Sequence, residues 1–289
     1  MIRRTIAVSI LFLMVFGAYS LFAVVLGGDG TVASPASGST VPADQLSIPT
    51  IVTTVPPTTL VKPPTPSDPA RVAIFGDSDA GGFGPYLKLM LEQTGLVMAT
   101  LDYKASTGLA RPDYHDWPAH LNSAVPELRP DIVVAAFGGN DAQGLSNPDG
   151  SWVVGYAPGS GGDDEAWAAE YGKRVGEVMD YLQDDGRVVI WVGIPNAADA
   201  DTTARMKVQD DAVRAQVAAH PGVIFIDTWA RFAGGNGGWA EYIVDPRDGQ
   251  GKDVRSDDGF HLNETGAEIL ALDIAEAVKN VLRSVGAQI

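Results

Sequence analysis

Residues 70–289 predict an α/β fold, a five-stranded parallel sheet layered between helices. Two observations carry the prediction. Short apolar runs, several of them ending in glycine, alternate along the chain with segments of helical periodicity, the order that a parallel sheet with helices on both faces requires. The runs are also apolar at consecutive positions rather than at every second one, as strands covered on both faces must be.

The elements follow in order. RVAIFG (71–76) reads as the first strand, with a helical stretch about Pro85–Gln93 behind it. LVMATLDY (96–103) is the second strand and DIVVAAFGG (131–139) the third. An amphipathic helix then places Trp167, Tyr171, Val175, Val178 and Leu182 at spacings of three and four. RVVIWVGIP (187–195) is the fourth strand, with Trp191 as a core residue; a helix covers about 202–219, and VIFIDT (223–228) is the fifth strand. The last helix carries Leu270, Ile274, Ala277 and Val281 on one face. Five such strands suit a three-layer, flavodoxin-like arrangement in the order 2-1-3-4-5. Ligands of these sheets bind beyond the carboxyl ends of the strands, at the switch point between strands 1 and 3. Ser78 lies just past strand 1 and Asn140 just past strand 3, so two polar segments converge on that crevice.

Ahead of the domain, MIRR is followed by an apolar stretch without a charge between Arg4 and Asp29. About twenty apolar residues suffice for a membrane-spanning helix. Residues 1–28 are therefore expected to be an N-terminal transmembrane anchor, or a signal sequence if they are cleaved. The basic residues stay cytoplasmic, which puts the bulk of the chain outside the cytoplasm in a single-pass arrangement, or secreted after cleavage. Residues 29–69 are rich in Pro, Thr, Ser and Gly, including TTVPPTTLVKPPTPSDP, and read as an extended linker to the domain at 70–289.

Composition narrows the function. A formal charge of −16 argues against a nucleic-acid partner. With no cysteine there is no disulfide, thiolate ligand or cysteine nucleophile. Four scattered histidines (His115, His120, His220, His261) give no expectation of a metal site, and His115 and His120 lack the spacing of a helical zinc pair. No cofactor is expected, since neither a P-loop nor a G-x-G-x-x-G follows the first strand.

IFGDSDA (74–80) places one serine at the strand end. Ser78 suits a nucleophile at the mouth of a sheet, and Gly, Asp and Ser equally suit an ordinary turn. A serine nucleophile needs a base and a group that orients the base. SDDGFHLNETG supplies Asp258 and His261, three apart before the last helix; a polar loop holds such a pair by chance often enough. The G-x-S-x-G elbow is not matched, because Ala80 occupies its fifth position.

Four segments together are more specific: FGDS (75–78), STGLARPDYHDWP (106–118), GGND (138–141) and DDGFHLN (257–263). Over about residues 70–285 their order and context resemble the SGNH, or GDSL-like, hydrolase superfamily. The longer strings around TGLARPDYHDWP and VGIPN look like a bacterial branch of cell-envelope proteins catalogued as a domain of unknown function. The resemblance implies Ser78 as nucleophile, His261 as general base and Asp258 as its orienting carboxylate. It also implies an oxyanion hole made by the backbone N–H groups of Ser78 and Gly108 and the side-chain amide of Asn140. Asp79 departs from the superfamily, where leucine usually follows the serine. A carboxylate there disfavours anionic substrates and, if it points inward, raises the pKa of His261. Asp79, Tyr114, His115 and Trp117 are candidate substrate-binding residues, although Trp117 also suits packing under its loop. The implied activity is a serine esterase acting on acyl, O-acetyl-like esters of an envelope glycan outside the cytoplasm. An O-acyltransferase fed by a membrane acyl-donor protein, or a non-catalytic glycan-binding or scaffold module, would use the same fold.

Overall fold

The apolar runs form one parallel sheet in a computed structural model that describes residues 62–289. The expected anchor at 1–28 and most of the expected linker at 29–69 lie outside the described residues. In chain order the elements are β1 (Ala70–Gly76), α1 (Ser78–Glu92), β2 (Val97–Tyr103), α2 (Trp117–Leu128), β3 (Ile132–Ala136), β4 (Leu145–Ser146), β5 (Trp152–Val154) and α3 (Asp164–Gln183). They continue with β6 (Val188–Val192), α4 (Ala200–Ala219), β7 (Val223–Ile226), the single turn α5 (Thr228–Arg231), β8 (Tyr242–Val244), β9 (Gly251–Asp253) and α6 (Glu264–Ser284). The main sheet runs β2-β1-β3-β6-β7, all parallel, which is the expected 2-1-3-4-5 when only its strands are counted. Two small antiparallel hairpins, β4–β5 and β8–β9, stand outside it.

The register shows how the sheet divides the core. Leu101, Ile74, Val134, Ile190 and Ile224 form one row across all five strands. Successive strand side chains point to opposite faces. Ile74, Val134 and Ile190 therefore pack with α1 and α6, while Phe75, Ala135 and Trp191 pack on the other face with α2, α3 and α4. Trp191 is fully buried, as expected of the middle of a strand.

Two helices differ from the sequence expectation. Helix α1 starts at Ser78 and contains Pro85, instead of starting near it. The glycines of DAGGFG mimic a loop in composition, but the packing requires one of them: a Cβ on Gly84 would lie 2.6 Å from Leu101 Cδ1 of β2. The helix rests so close to the sheet there that any larger residue would have to displace Leu101. Helix α2 has no counterpart among the expected elements, because Pro118 and Pro126 obscure it. Pro118 sits in the first turn, where its missing N–H costs nothing, and Asp116 caps the helix by accepting from Ala119 N at 2.9 Å. Among the described residues no helix is long and apolar enough to cross a membrane.

Helix α6 carries the heaviest apolar load, and Ile274 on it is fully buried. Ile274→Ala is expected to lower unfolding free energy by about 3 kcal/mol, read as a fall in the urea midpoint at unchanged slope.

Candidate active site

Ser78 owes its position to Asp77. β1 ends at Gly76, and Asp77 caps α1, its Oδ1 accepting from Asp79 N at 2.9 Å. The other oxygen, Oδ2, accepts from Gly138 N (3.1 Å) and Gly139 N (2.8 Å), and Asp77 N donates to Ala136 O at 3.1 Å. One fully buried carboxylate thus joins the loop after β1 to the loop after β3. Burial, with the neighbouring Asp79 and Asp141 carboxylates, pushes its pKa well above the usual range, against the pull of the backbone donors. Ser78 becomes the first residue of α1, with its N–H at the positive end of the helix.

The partner of Ser78 comes from the segment before α6. His261 Nε2 lies 2.9 Å from Ser78 Oγ, and His261 Nδ1 lies 2.6 Å from Asp258 Oδ2. Asp258 also shapes the turn that presents the imidazole: its Oδ1 accepts from Phe260 N (2.9 Å) and His261 N (3.0 Å). Burial raises the Asp258 pKa, but the hydrogen bonds from His261 and these two backbone groups outweigh it and hold the pKa below the ordinary value. An ionised Asp258 accepts Nδ1–H, which leaves Nε2 as the acceptor facing Ser78 O–H.

Arg255 clamps this turn from behind. The guanidinium is buried and donates to four segments: Ala240 O (3.2 Å), Phe260 O (2.9 Å), Asn196 Oδ1 (2.8 Å) and Phe232 O (3.0 Å). None of these is a carboxylate. Burial pulls the Arg255 pKa down to about 10 against the fields of Asp79 and Asp258, so those two anions balance its charge through space.

A second buried carboxylate, Asp141, positions Gly108. Its Oδ2 accepts from Leu109 N (2.9 Å) and Tyr171 Oη–H (2.8 Å), and its Oδ1 from Ala110 N (2.9 Å). The carboxylate fills the space where a side chain on residue 108 would stand, so any Cβ there would collide with Asp141 Oδ1. Asn140, the preceding residue, donates one amide hydrogen to Thr107 O at 3.1 Å. Neither Ser78 N–H nor Gly108 N–H has an acceptor among the described residues. The Ser78 N–H is one of the donors that a helix start leaves free, and with the Gly108 N–H beside a polarised serine it suits a developing negative charge.

Asp79 is half-buried and turns inward. A Cβ on Gly139 would lie 3.0 Å from Asp79 Oδ2, with Phe260 close behind. Its carboxyl accepts no hydrogen bond among the described residues. Burial pushes its pKa up to about 6, opposed by the charges of His261 and Arg255 and assisted by Asp258.

The polar-aromatic patch divides. Tyr114 is 61% exposed. His115 is half-buried, edge-on to Trp117 at 4.9 Å between ring centroids. Trp117, a candidate for substrate contact, is 1% exposed and donates Nε1–H to Thr107 Oγ1 at 2.8 Å. That assignment is corrected: Trp117 has no face to offer a ligand and supports the loop that carries Gly108. The structure brings together Ser78, Asp79, Asp258 and His261, with Gly108 and Asn140 in adjoining loops. Sequence reasoning assigned no role to Asp77, Asp141 or Arg255. For Asp77 a signal existed, an aspartate between strand and helix at a capping position; Arg255 carries none, because three of its four acceptors lie 15 to 59 residues away in the chain.

A serine–histidine–aspartate relay at the carboxyl edge of a 2-1-3-4-5 parallel sheet is the arrangement of the SGNH, or GDSL-like, hydrolase fold. Solved structures agree at the level of fold. A candidate acylhydrolase from Bacteroides fragilis matches with a TM-score of 0.51 at 16% identity, over 77% of this chain and 92% of its own. A GDSL-like lipase from Bacteroides thetaiotaomicron matches with a TM-score of 0.50 at 15% identity, over 73% and 88%. The chain belongs to the family described as "Protein of unknown function (DUF459)", whose model matches residues 71–277. No curated protein matches the sequence.

The carboxylates Asp141 and Asp79 each lead to a stability prediction. Gly108→Ala is expected to cost about 1–3 kcal/mol in urea unfolding, because Asp141 cannot move without releasing its three donors. For Asp79 the folded pKa of about 6 exceeds the ordinary 3.8, so the folded state holds the proton more tightly. The cost of ionisation is absent below about pH 4, grows to about pH 6 and is complete above it. Asp79→Asn is therefore expected to raise the thermal midpoint at pH 8 and to change it little at pH 4.

Proposed function

We propose that the protein is a serine esterase that cleaves short acyl, O-acetyl-like esters of an envelope glycan outside the cytoplasm. The observation that carries the reading is the continuous relay from Ser78 Oγ to His261 Nε2 (2.9 Å) and from His261 Nδ1 to Asp258 Oδ2 (2.6 Å). The unpartnered N–H groups of Ser78 and Gly108 support it. The glycan and the location rest on the exposed Tyr114 beside the site and on the basic, then apolar, N-terminal sequence.

In the reaction proposed, Ser78 Oγ attacks the ester carbonyl carbon while its proton passes to His261 Nε2. The carbonyl π pair moves onto oxygen, where the N–H groups of Ser78 and Gly108 and the remaining amide hydrogen of Asn140 stabilise it. Asp258 holds the imidazole by Nδ1 and stabilises the imidazolium, without taking its proton. When the carbonyl re-forms, the bond to the alcohol oxygen breaks, and His261 returns the proton to that oxygen. Water then repeats the sequence on the acyl-enzyme, releasing the carboxylic acid and Ser78. A sugar hydroxyl in place of that water would make the same cycle an acyl transfer.

The fragment 62–289 with 4-nitrophenyl acetate tests this. Ser78→Ala is expected to reduce kcat by about 10⁴-fold or more, and Asn140→Ala by about 10²–10³-fold, with native circular dichroism. Wild-type protein that hydrolyses no acyl ester and resists a serine-directed phosphonate would overturn the proposal. Cleavage of the domain by protease added to intact cells checks the location.

A further inference from the structure

Two recesses of opposite character border the reacting groups. The first opens at Ser78 and His261 and runs between α1, the end of β6 and α6, walled by Phe83, Val192, Leu262 and Leu270. Phe83 and Leu270 are almost wholly buried, so the recess is short. The second borders Gly108 and is lined by Ser106, Thr107, Arg111, Tyr114 and Gln143. It is a built surface. Arg111 is held in place by a bidentate pair with Asp113 (2.8 and 2.7 Å) and lies over the Trp152 ring at 4.9 Å. Gln143 Nε2 donates to Asn140 O at 2.5 Å, and Ser106 takes a left-handed backbone conformation (φ 62°).

An ester attacked at its carbonyl carbon has two substituents to place, the acyl chain and the alcohol. Each methylene moved from water into the apolar recess is stabilised there. Each hydroxyl buried there without a partner is destabilised by the water contacts it gives up. A polyhydroxylated alcohol is therefore excluded from the first recess and suited to the second, where amide, hydroxyl and aromatic groups meet water.

From this we infer the orientation of the substrate: its acyl chain enters the α1–α6 recess, which suits short chains without a negative charge, and its sugar alcohol lies over Gly108 toward Arg111 and Tyr114. The inference rests on the esterase reading and adds which residues measure the acyl group and which meet the alcohol. Asp79, also at the mouth of the first recess, sets an unpartnered carboxyl where a charged acyl terminus would have to pass.

Gly82 provides the test. It stands on α1 at the mouth of the recess, and a Cβ there would meet nothing within 4 Å. Gly82→Leu adds bulk from a Cβ that stands in open space and improves helix propensity, so the variant is expected to fold. Rates would be measured on 4-nitrophenyl acetate, butyrate and octanoate, and on glucose pentaacetate. Gly82→Leu is expected to lower the butyrate-to-acetate ratio of kcat/KM by about tenfold, the usual size of such pocket discrimination. Phe83→Ala is expected to raise the octanoate-to-acetate ratio. Tyr114→Ala is expected to raise KM severalfold on the sugar acetate while leaving both acyl-length ratios unchanged. Ratios that stay within twofold of wild type in Gly82→Leu and Phe83→Ala, with acetate still turned over, would overturn the orientation and leave the esterase reading standing. So would an acyl-length effect in Tyr114→Ala. Wild-type protein silent on every ester would overturn both.

Discussion

The carboxylate of Asp77 is the constraint on which the rest of the site depends. It accepts three backbone N–H groups, one from the start of α1 and two from the loop after β3. Those two segments leave adjacent parallel strands at the switch point of the sheet, where no ladder hydrogen bonds continue and the chains would otherwise diverge. By bridging them, Asp77 fixes Ser78 relative to Asn140. Asp141 repeats the device one loop further out, joining the β3 loop to the segment that carries Gly108. The candidate oxyanion donors are thus positioned by two buried carboxyl groups, each held by backbone N–H donors.

Four carboxylates gather around one serine, and their environments separate them. Asp77 and Asp141 are buried among backbone donors, Asp258 is held ionised by His261 and two backbone N–H groups, and Asp79 is half-buried with no donor among the described residues. Arg255 is the counter-charge to two of them, Asp79 and Asp258, although it touches neither. Its hydrogen bonds go to carbonyl and amide oxygens, so it ties four segments together while its charge acts at a distance. The same side chain fixes the turn of Asp258 and His261 and moderates the cost of placing Asp79 beside the nucleophile. Asp79 does not turn to solvent as a surface aspartate would; it faces the Gly139 and Phe260 side of the crevice.

Much was legible in the sequence because it is local. Consecutive apolar residues in RVAIFG, DIVVAAFGG and RVVIWVGIP determined the three central, buried strands of the parallel sheet, whereas the edge strands β2 and β7 are only partly covered. Their alternation with helices determined a layered sheet, and the position of Ser78 and Asn140 after strands 1 and 3 determined that both lie at its switch point. Asp258 and His261 are only three apart, but that spacing alone was not specific; it took the resemblance of four segments together to mark them as a pair. Helices α1 and α2 were less legible, because glycine and proline weigh against a helix in propensity while close packing on β2 and capping by Asp116 outweigh that preference.

Only the tertiary structure decided what depends on contact across distant segments. It turned Trp117 from a candidate sugar platform into a buried support for the Gly108 loop, since exposure is a property of neighbours and not of residue type. It showed that Gly108 is glycine because the Asp141 carboxylate stands where a Cβ would be. It gave Asp77 and Arg255 their roles, whose partners lie up to 62 residues away in the chain. Patterns of hydrophobicity encode which face of an element is buried. They do not encode which buried polar group will meet which backbone donor, because that is settled when separate loops converge on one point.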